Sequence, residues 1–251
     1  VITNNWIRAY DAINMCNLVL ANLDVVEDAD RERVEGEALA IRSMLFFELV
    51  RFYALPYEIG ETNSQPGIPI VTDPNIELSD ITEEDYVSRD AVEAVYNKVI
   101  TDLENAVDLL PEENGVKIGK YAALAMLSRV YLQKGDYEGA RDAANEVIVE
   151  GSENAGYELL NDFTRAFNNN ANTSEDIFAI QQNSLFNAGT NNSGLTTFYA
   201  NSDQSGRDGD VDILPAHLDI YEDGDVRGQF FYLGVFDNLP KTSKWLVEYA
   251  N

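Results

Sequence analysis

This sequence contains only one cysteine and one histidine, and it lacks a glycine-rich phosphate loop. Cys16 is the only cysteine, so no intrachain disulfide can form, and we expect its thiol to be buried on a helix. His217 is the only histidine, which excludes metal sites built from several histidines. A histidine-based catalytic triad would depend on that one residue. No glycine-rich phosphate loop is present, and we predict no metal centre and no cofactor.

Basic side chains and long apolar runs are also scarce. The 251 residues include 17 basic and 44 acidic side chains, which give a net charge of -27. A polyanion is a poor partner for nucleic acid or for an anionic membrane surface. The longest apolar run covers residues 44–50 and is interrupted by Glu48. It is much shorter than the roughly 20 residues that a membrane helix needs.

Residues 120–150 show the clearest pattern in the chain, which is that of two antiparallel helices. Apolar residues recur every three or four positions along both halves. The predicted stripes are Ala123, Leu124, Leu127, Val130 and Tyr131, then Tyr137, Ala140, Ala144, Val147 and Ile148. Between them, Gly135 can end the first helix in the left-handed conformation and Asp136 can cap the second. This is the pattern of a tetratricopeptide unit, which needs neighbours to cover its apolar face.

Three earlier helices are predicted from the same periodicity. They cover residues 4–23, 32–53 and 88–111. In the first, Asn17 interrupts the apolar stripe, so its amide needs hydrogen-bond partners on a neighbouring backbone or helix. Arg42, in the second, needs a carboxylate or carbonyl partner. Ser88 is expected to cap the third helix, and Pro111 to end it.

The remaining segments are predicted to be loops. Residues 57–80 are rich in proline, glycine and asparagine, and the apolar residues at 68–71 fit either a short edge strand or anchors. Beyond residue 151, asparagine, serine, threonine and glycine become frequent, which is typical of irregular structure. Within this part, residues 177–180 suit a short strand and residues 217–221 suit one helical turn.

Four segments of the chain occur together in a recognisable order and spacing. They are GEALAIRSMLFFELVRFYALPY (residues 36–57), SRDAVEAVYNKVITDLENAVDLLP (88–111), KYAALAMLSRVYLQKGDYEGARDAANEVI (120–148) and SEDIFAIQQN (174–183). Together they resemble the SusD/RagB family, which are nutrient-binding lipoproteins on the outer membrane of Bacteroidetes. The resemblance begins near Trp6 and spans nearly all of the chain, so it is more specific than a single tetratricopeptide hairpin.

The resemblance implies a mainly α fold. Tetratricopeptide-like helix pairs would form a right-handed superhelical scaffold, with an irregular loop-rich portion packed on it. On this basis residues 1–251 form a single SusD-like domain, with the scaffold in residues 1–150 and the loops in residues 151–251. Family members are longer and begin with a lipoprotein signal. We therefore expect a fragment or truncated chain that lacks the lipid anchor and the C-terminal portion.

The resemblance also implies a function. Family members bind a nutrient, most often an oligosaccharide, at the extracellular face of the outer membrane. They deliver it to a partner TonB-dependent, SusC-like channel and are not enzymes. The full-length protein would be held at the membrane by its lipid anchor alone.

Aromatic residues in the loops are the candidates for ligand contact, because a flat ring can stack on a sugar. These loop aromatics are Tyr57, Phe186, Phe198, Tyr199, Tyr221 and Tyr232. The predicted ligand-binding set is Tyr57, Phe186, Phe198, Tyr199 and Asn201. The alternative for each aromatic residue is that it anchors its loop to the scaffold.

Two other functions remain open from the residues alone. One is a tetratricopeptide scaffold that binds a protein segment, and the other is a glycoside hydrolase that uses carboxylate pairs such as those within residues 83–85 or 219–225. The asparagine-rich aromatic loops favour glycan binding over the first, and the lack of a catalytic motif argues against the second. Residues 208–212 have partial calcium-loop spacing, but Ile213 stands where that loop needs glycine.

Overall fold

The computed structural model describes residues 2–74, 87–167, 171–180, 198–200, 211–234 and 238–243. The chain divides into two compact units, Val1–Gly156 and Tyr157–Asn251. The first is helical and the second is largely irregular. The prediction that residues 1–251 form one domain stays a prediction. No helix within the described ranges is both long enough and apolar enough to cross a membrane.

The first unit is a series of helices in which each packs against the next along the chain. In order they are α1 (Ile2–Ala21), α2 (Asp28–Tyr53), α3 (Val92–Leu109), α4 (Lys120–Lys134) and α5 (Tyr137–Ala155). The predicted mainly α, tetratricopeptide-like architecture is confirmed. Such sequential packing lets each helix bury an apolar stripe that it could not bury alone.

The hairpin of α4 and α5 follows the prediction closely at its turn. Gly135 ends α4 with a left-handed φ of 85°. The Asp136 carboxylate then caps α5 by accepting a hydrogen bond from the Gly139 backbone nitrogen at 2.9 Å. The second apolar stripe was partly wrong, because Tyr137 and Ile148 are 64% and 65% exposed. The buried face of α5 is formed by smaller side chains, Ala140, Ala143 and Val147.

The predicted starts of α2 and α3 were wrong. Helix α2 begins four residues earlier than expected, with Asp28 and Asp30 in its first turn, where acidic residues favour the positive helix end. Helix α3 begins later, after Ala91, and Ser88 does not cap it. Residues 88–91 are extended instead, because their backbone pairs with the loop before α3. The Gly67 nitrogen, for example, donates to the Asp90 carbonyl at 2.6 Å.

A buried polar network joins α1, α2 and α3. The Arg42 guanidinium on α2 is bonded to the Asp102 carboxylate on α3 at 2.7 Å and to the Asn17 side-chain oxygen on α1 at 2.9 Å. Lys98 also contacts Asp102, at 2.9 Å. Asn17 donates in turn to the Val71 carbonyl at 2.9 Å. The predicted need of Asn17 and Arg42 for partners is therefore confirmed.

The second unit is built from short elements. A 3₁₀ turn (Phe163–Ala166) and a single helical turn, α6 (Pro215–Leu218), precede the 3₁₀ turn Val226–Phe230 and a small hairpin. The hairpin pairs β1 (Phe231–Leu233) antiparallel with β2 (Pro240–Thr242). Three phenylalanine rings pack edge to face with centroids 5.3–5.5 Å apart; they are Phe163, Phe167 and Phe230.

Two local predictions for this unit need correction. Residues 177–180 do not form a strand. The Ile177 carbonyl accepts a hydrogen bond from the Tyr157 hydroxyl at 3.4 Å instead of joining a ladder with another strand. The helical turn predicted for residues 217–221 begins two residues earlier, at Pro215. Proline is favoured at the first helical position, because its fixed φ suits a helix and its missing N–H is not needed there.

We predict that Asp102→Ala destabilises the first unit by about 3–5 kcal/mol, because the change leaves the buried Arg42 charge without its main partner. Urea unfolding followed by circular dichroism measures the effect. Asp108→Ala is the matched control, because it removes an exposed carboxylate from the same helix. The control should change the free energy of unfolding by no more than about 0.5 kcal/mol. Equal effects of the two substitutions would contradict a structural role for the network.

We also predict that Gly135→Ala destabilises the protein more than Gly156→Ala. Both glycines have a positive φ, 85° and 70°, so alanine is strained at either site by about 1–2 kcal/mol. At Gly135 the added methyl would also lie 2.8 Å from the Ile59 side chain, whereas at Gly156 it would meet no atom within 4 Å. The extra cost should be about 1 kcal/mol, since Ile59 is partly exposed and can move. Equal losses in urea unfolding would show that Ile59 does not pack on this turn.

Candidate functional site

The loop between α2 and α3 is held at residues 68–70 by α1 and by the residues just before α3. The Tyr10 hydroxyl donates to the Pro69 carbonyl at 2.8 Å, and the Ile70 nitrogen donates to the Asp90 carboxylate at 2.7 Å. Ile68 is fully buried. Of the two interpretations left open for residues 68–71, the structure supports anchors rather than a strand.

Asn63 organises the first half of this loop, and the sequence reasoning missed it. Its side chain is buried and bonds to the backbone of Glu58 through both amide atoms, at 2.8 and 2.9 Å. Its φ of 49° is left-handed, a conformation that asparagine tolerates better than most residues. The available signal was an asparagine within a segment rich in turn residues.

Tyr57, the first predicted ligand residue, is half-buried on the helical scaffold. Its ring lies 4.8 Å from the Tyr96 ring, and its hydroxyl donates to the Glu93 carboxylate at 2.6 Å. Lys134 pairs with the other oxygen of Glu93 at 3.0 Å. Burial, together with the hydrogen bond to Glu93, raises the pKa of Tyr57 to about 12. Its hydroxyl therefore stays protonated and continues to donate at neutral pH.

The contacts with Tyr57 and Lys134 lower the pKa of Glu93. Burial alone would raise its pKa, because it disfavours the charged form. The hydrogen bonds from Tyr57 and Lys134 outweigh that effect and hold the pKa of Glu93 below its ordinary value of 4.5. The negatively charged Glu93 carboxylate thus accepts the hydrogen bond from the Tyr57 hydroxyl and fixes the position of its ring.

In the second unit, aromatic rings gather around a small cavity. Tyr221 and Phe231 have centroids 5.4 Å apart, and the His217 ring lies 5.3 Å from Phe231. The cavity has a volume of about 190 Å³. Its lining consists of Leu218, Tyr221, Gly228, Phe231, Tyr232 and Leu233. We call this the aromatic pocket.

Polar groups surround Tyr221 at the aromatic pocket. Its hydroxyl is hydrogen-bonded to Nε2 of His217 at 3.1 Å, and the Arg227 guanidinium lies 5.6 Å from the centre of its ring. The Arg227 side chain also donates three hydrogen bonds to the Asp225 carboxylate, at 2.5–3.0 Å. These bonds hold the pKa of Asp225 below its ordinary value. An apolar ring bordered by donors and acceptors can hold the C–H face of a sugar and bond its hydroxyls.

The other predicted ligand residues have mixed positions. Phe198 and Tyr199 are half-buried in the short described segment 198–200, next to the buried Ala200. Phe186 and Asn201 lie outside the described residues. Of the two described candidates, neither Phe198 nor Tyr199 lines the aromatic pocket.

Two loop aromatics named from the sequence, Tyr221 and Tyr232, do line the aromatic pocket. The sequence reasoning missed Phe231 as a lining residue and His217 as a neighbour. Most of the possible calcium loop, residues 208–210, also lies outside the described residues. The described Asp212 is paired with Lys241 at 3.3 Å. Nowhere in the described ranges do three potential metal ligands cluster.

Residues 1–132 match a SusD-like family whose description is "Starch-binding associating with outer membrane". Among curated relatives, SusD-like protein P2 of Formosa agariphila is 26% identical over 181 residues. That match covers 70% of this chain but 33% of the relative, so the chain spans about a third of that protein's length.

Solved structures agree with the family match. A candidate sugar-binding protein of Bacteroides vulgatus is 28% identical with a TM-score of 0.80, over 98% of this chain and 56% of the other. A structure determined with xylogluco-oligosaccharide is 25% identical with a TM-score of 0.57, over 73% of this chain and 36% of the other. The family match covers more than half of the sequence and the fold agrees with it: the chain belongs to the SusD-like family.

Proposed function

We propose that this protein binds an oligosaccharide at the cell surface and delivers it to a partner TonB-dependent, SusC-like transporter. In this proposal the full-length protein is held by a lipid anchor at the extracellular face of the outer membrane. It binds its ligand without cleaving it. Family membership supports the class of function, and the aromatic pocket is the observation in this chain that carries it.

The size of the aromatic pocket limits what it can hold. Its volume of about 190 Å³ is below the range of roughly 300–1,000 Å³ typical of pockets for drug-sized ligands. One sugar ring, rather than a whole oligosaccharide, therefore fits against Tyr221 and Phe231. The other rings of the oligosaccharide would lie outside the pocket, where the exposed Leu233 borders it.

We predict that Tyr221→Ala weakens oligosaccharide binding by about twofold to tenfold, the loss expected when one aromatic stacking contact of 0.5–1.5 kcal/mol is removed. Calorimetry with xyloglucan, starch and laminarin oligosaccharides measures it. Tyr221→Phe keeps the ring and should keep most of the affinity. Tyr137→Ala removes an exposed tyrosine from α5 and serves as the control.

Two outcomes would contradict the proposal. If the folded protein bound none of the oligosaccharides but did bind unstructured peptides, the tetratricopeptide interaction scaffold would replace it. If incubation with a bound oligosaccharide released reducing ends, the protein would be a glycoside hydrolase. We expect no reducing ends above a buffer control.

Tyr57 remains a proposed ligand residue. Contact of its ring with a sugar can be separated by mutation from the hydrogen bond of its hydroxyl to Glu93. If its ring meets the sugar, Tyr57→Ala should weaken binding while Tyr57→Phe should not. The phenylalanine variant nevertheless removes a donor from Glu93, so the pKa of Glu93 should rise toward 4.5. A carboxyl ¹³C NMR titration measures this pKa. Tyr53→Phe, which removes a hydroxyl bonded to the Ile2 carbonyl, is the control.

The same pKa shift predicts a pH dependence of stability. Because the folded-state pKa of Glu93 lies below 4.5, its ionised form stabilises the fold above that pH, and the contribution is lost as the pH falls through the folded-state pKa. Tyr57→Phe should make this loss on acidification smaller. An unchanged Glu93 pKa in the variant would contradict the hydrogen bond as its cause.

A further inference from the structure

Two arginines from different helices face one small cavity in the first unit. Arg51 on α2 and Arg129 on α4 line a space of about 200 Å³, together with Gln133 and the apolar side chains of Phe47 and Leu132. The Arg51 guanidinium lies 5.3 Å from the centre of the Phe47 ring, which fixes its position beside the cavity. The cavity thus has an apolar wall and two cationic groups.

Hydrogen-bond donors at this cavity are not all used. Arg51 bonds Glu48 through Nη1 at 2.7 Å, which leaves its other nitrogens without a hydrogen bond to the described residues. Within the described part of the chain, the carboxylate nearest to Arg129 is again that of Glu48, at 3.8 Å, which is too far for a hydrogen bond. The Tyr96 hydroxyl donates to Oε1 of Gln133, so the Gln133 amide nitrogen remains as a donor.

The local charge at this cavity is positive, whereas the net charge of the chain is negative. Arg51 and Arg129 carry two positive charges against the single negative charge of Glu48, on a protein whose net charge is -27. A guanidinium presents a planar fork of donors that matches the oxygens of a carboxylate or a sulfate. Two guanidinium groups and an amide at one cavity are therefore suited to an oxyanion.

We propose that Arg51, Arg129 and Gln133 form a subsite for one oxyanion group on a sugar ring, either a uronic carboxylate or a sulfate ester. This rests on the proposed function, because it takes the ligand to be an oligosaccharide. The exposed Leu132 side chain meets the apolar face of the ring, and the arginines bind its charged group. The small volume admits one such ring, and the surrounding negative charge disfavours a longer polyanion.

Calorimetry and arginine side-chain NMR with glucuronate, glucose 6-sulfate and glucose test this proposal. Glucuronate or glucose 6-sulfate should shift the Arg129 signal and bind at least tenfold more tightly than glucose, and the tighter of the two identifies the group. Arg129→Gln should lose about tenfold in that affinity, the size of one charge-assisted hydrogen bond. Arg129→Lys, which keeps the charge but not the fork, should lose part of it.

Arg141→Gln is the matched control, because Arg141 is exposed and already paired with Asp142 and Glu138. It should leave the affinity unchanged. Binding of glucose as tight as that of both acidic sugars, or no effect of Arg129→Gln, would overturn the subsite. An acetylated glutamate peptide that binds as tightly as glucuronate would overturn its assignment to sugars.

Neutral oligosaccharides separate this proposal from the proposed function. Their binding should depend on Tyr221 and should be unaffected by Arg129→Gln. If they bind while the acidic sugars gain nothing from Arg129, the subsite is wrong and the proposed function stands. If no sugar of either kind binds, both are wrong.

Discussion

The buried guanidinium of Arg42 is the constraint on which the helical unit depends. With 4% of the residue exposed, its charge must be paired inside the protein, and Asp102 and Asn17 provide the partners from two other helices. Apolar residues of similar volume could stabilise such a core equally well. We therefore infer that the network contributes position rather than net stability, since its members come from α1, α2 and α3 and bond one another in the observed arrangement of these helices.

The same network reaches the loop between α2 and α3 and helps to fix it. Asn17 holds the Val71 carbonyl near the middle of the loop. Near its start, Tyr57 is held by Glu93, which is itself paired with Lys134 on α4. The parts of the loop held in this way have little conformational entropy left to lose on binding a ligand. Its side chains are thus pre-organised by contacts that begin in the core.

Local signals in the sequence predicted the parts of the fold that depend on local physics. The turn at Gly135 and Asp136 was predicted from residue type alone, because backbone conformation and capping involve neighbouring residues. The start of α3 could not be predicted from residue type, because Ser88 lies in a segment that pairs with residues about 20 positions earlier. Phe231 was missed at the aromatic pocket for a similar reason, because it contacts Tyr221 only through the fold of the segment between them, which contains the 3₁₀ turn Val226–Phe230.

In the proposed function, charge and aromatic contacts select the ligand in different ways. At physiological ionic strength a field is screened within about 8 Å, so the net charge of -27 repels polyanions but does not act on a neutral sugar. A neutral ring can therefore reach Tyr221 and gain from stacking, which salt does not screen. A single acidic ring close to Arg129 experiences the local positive charge more than the distant negative charge. Salt should consequently weaken acidic ligands far more than neutral ones.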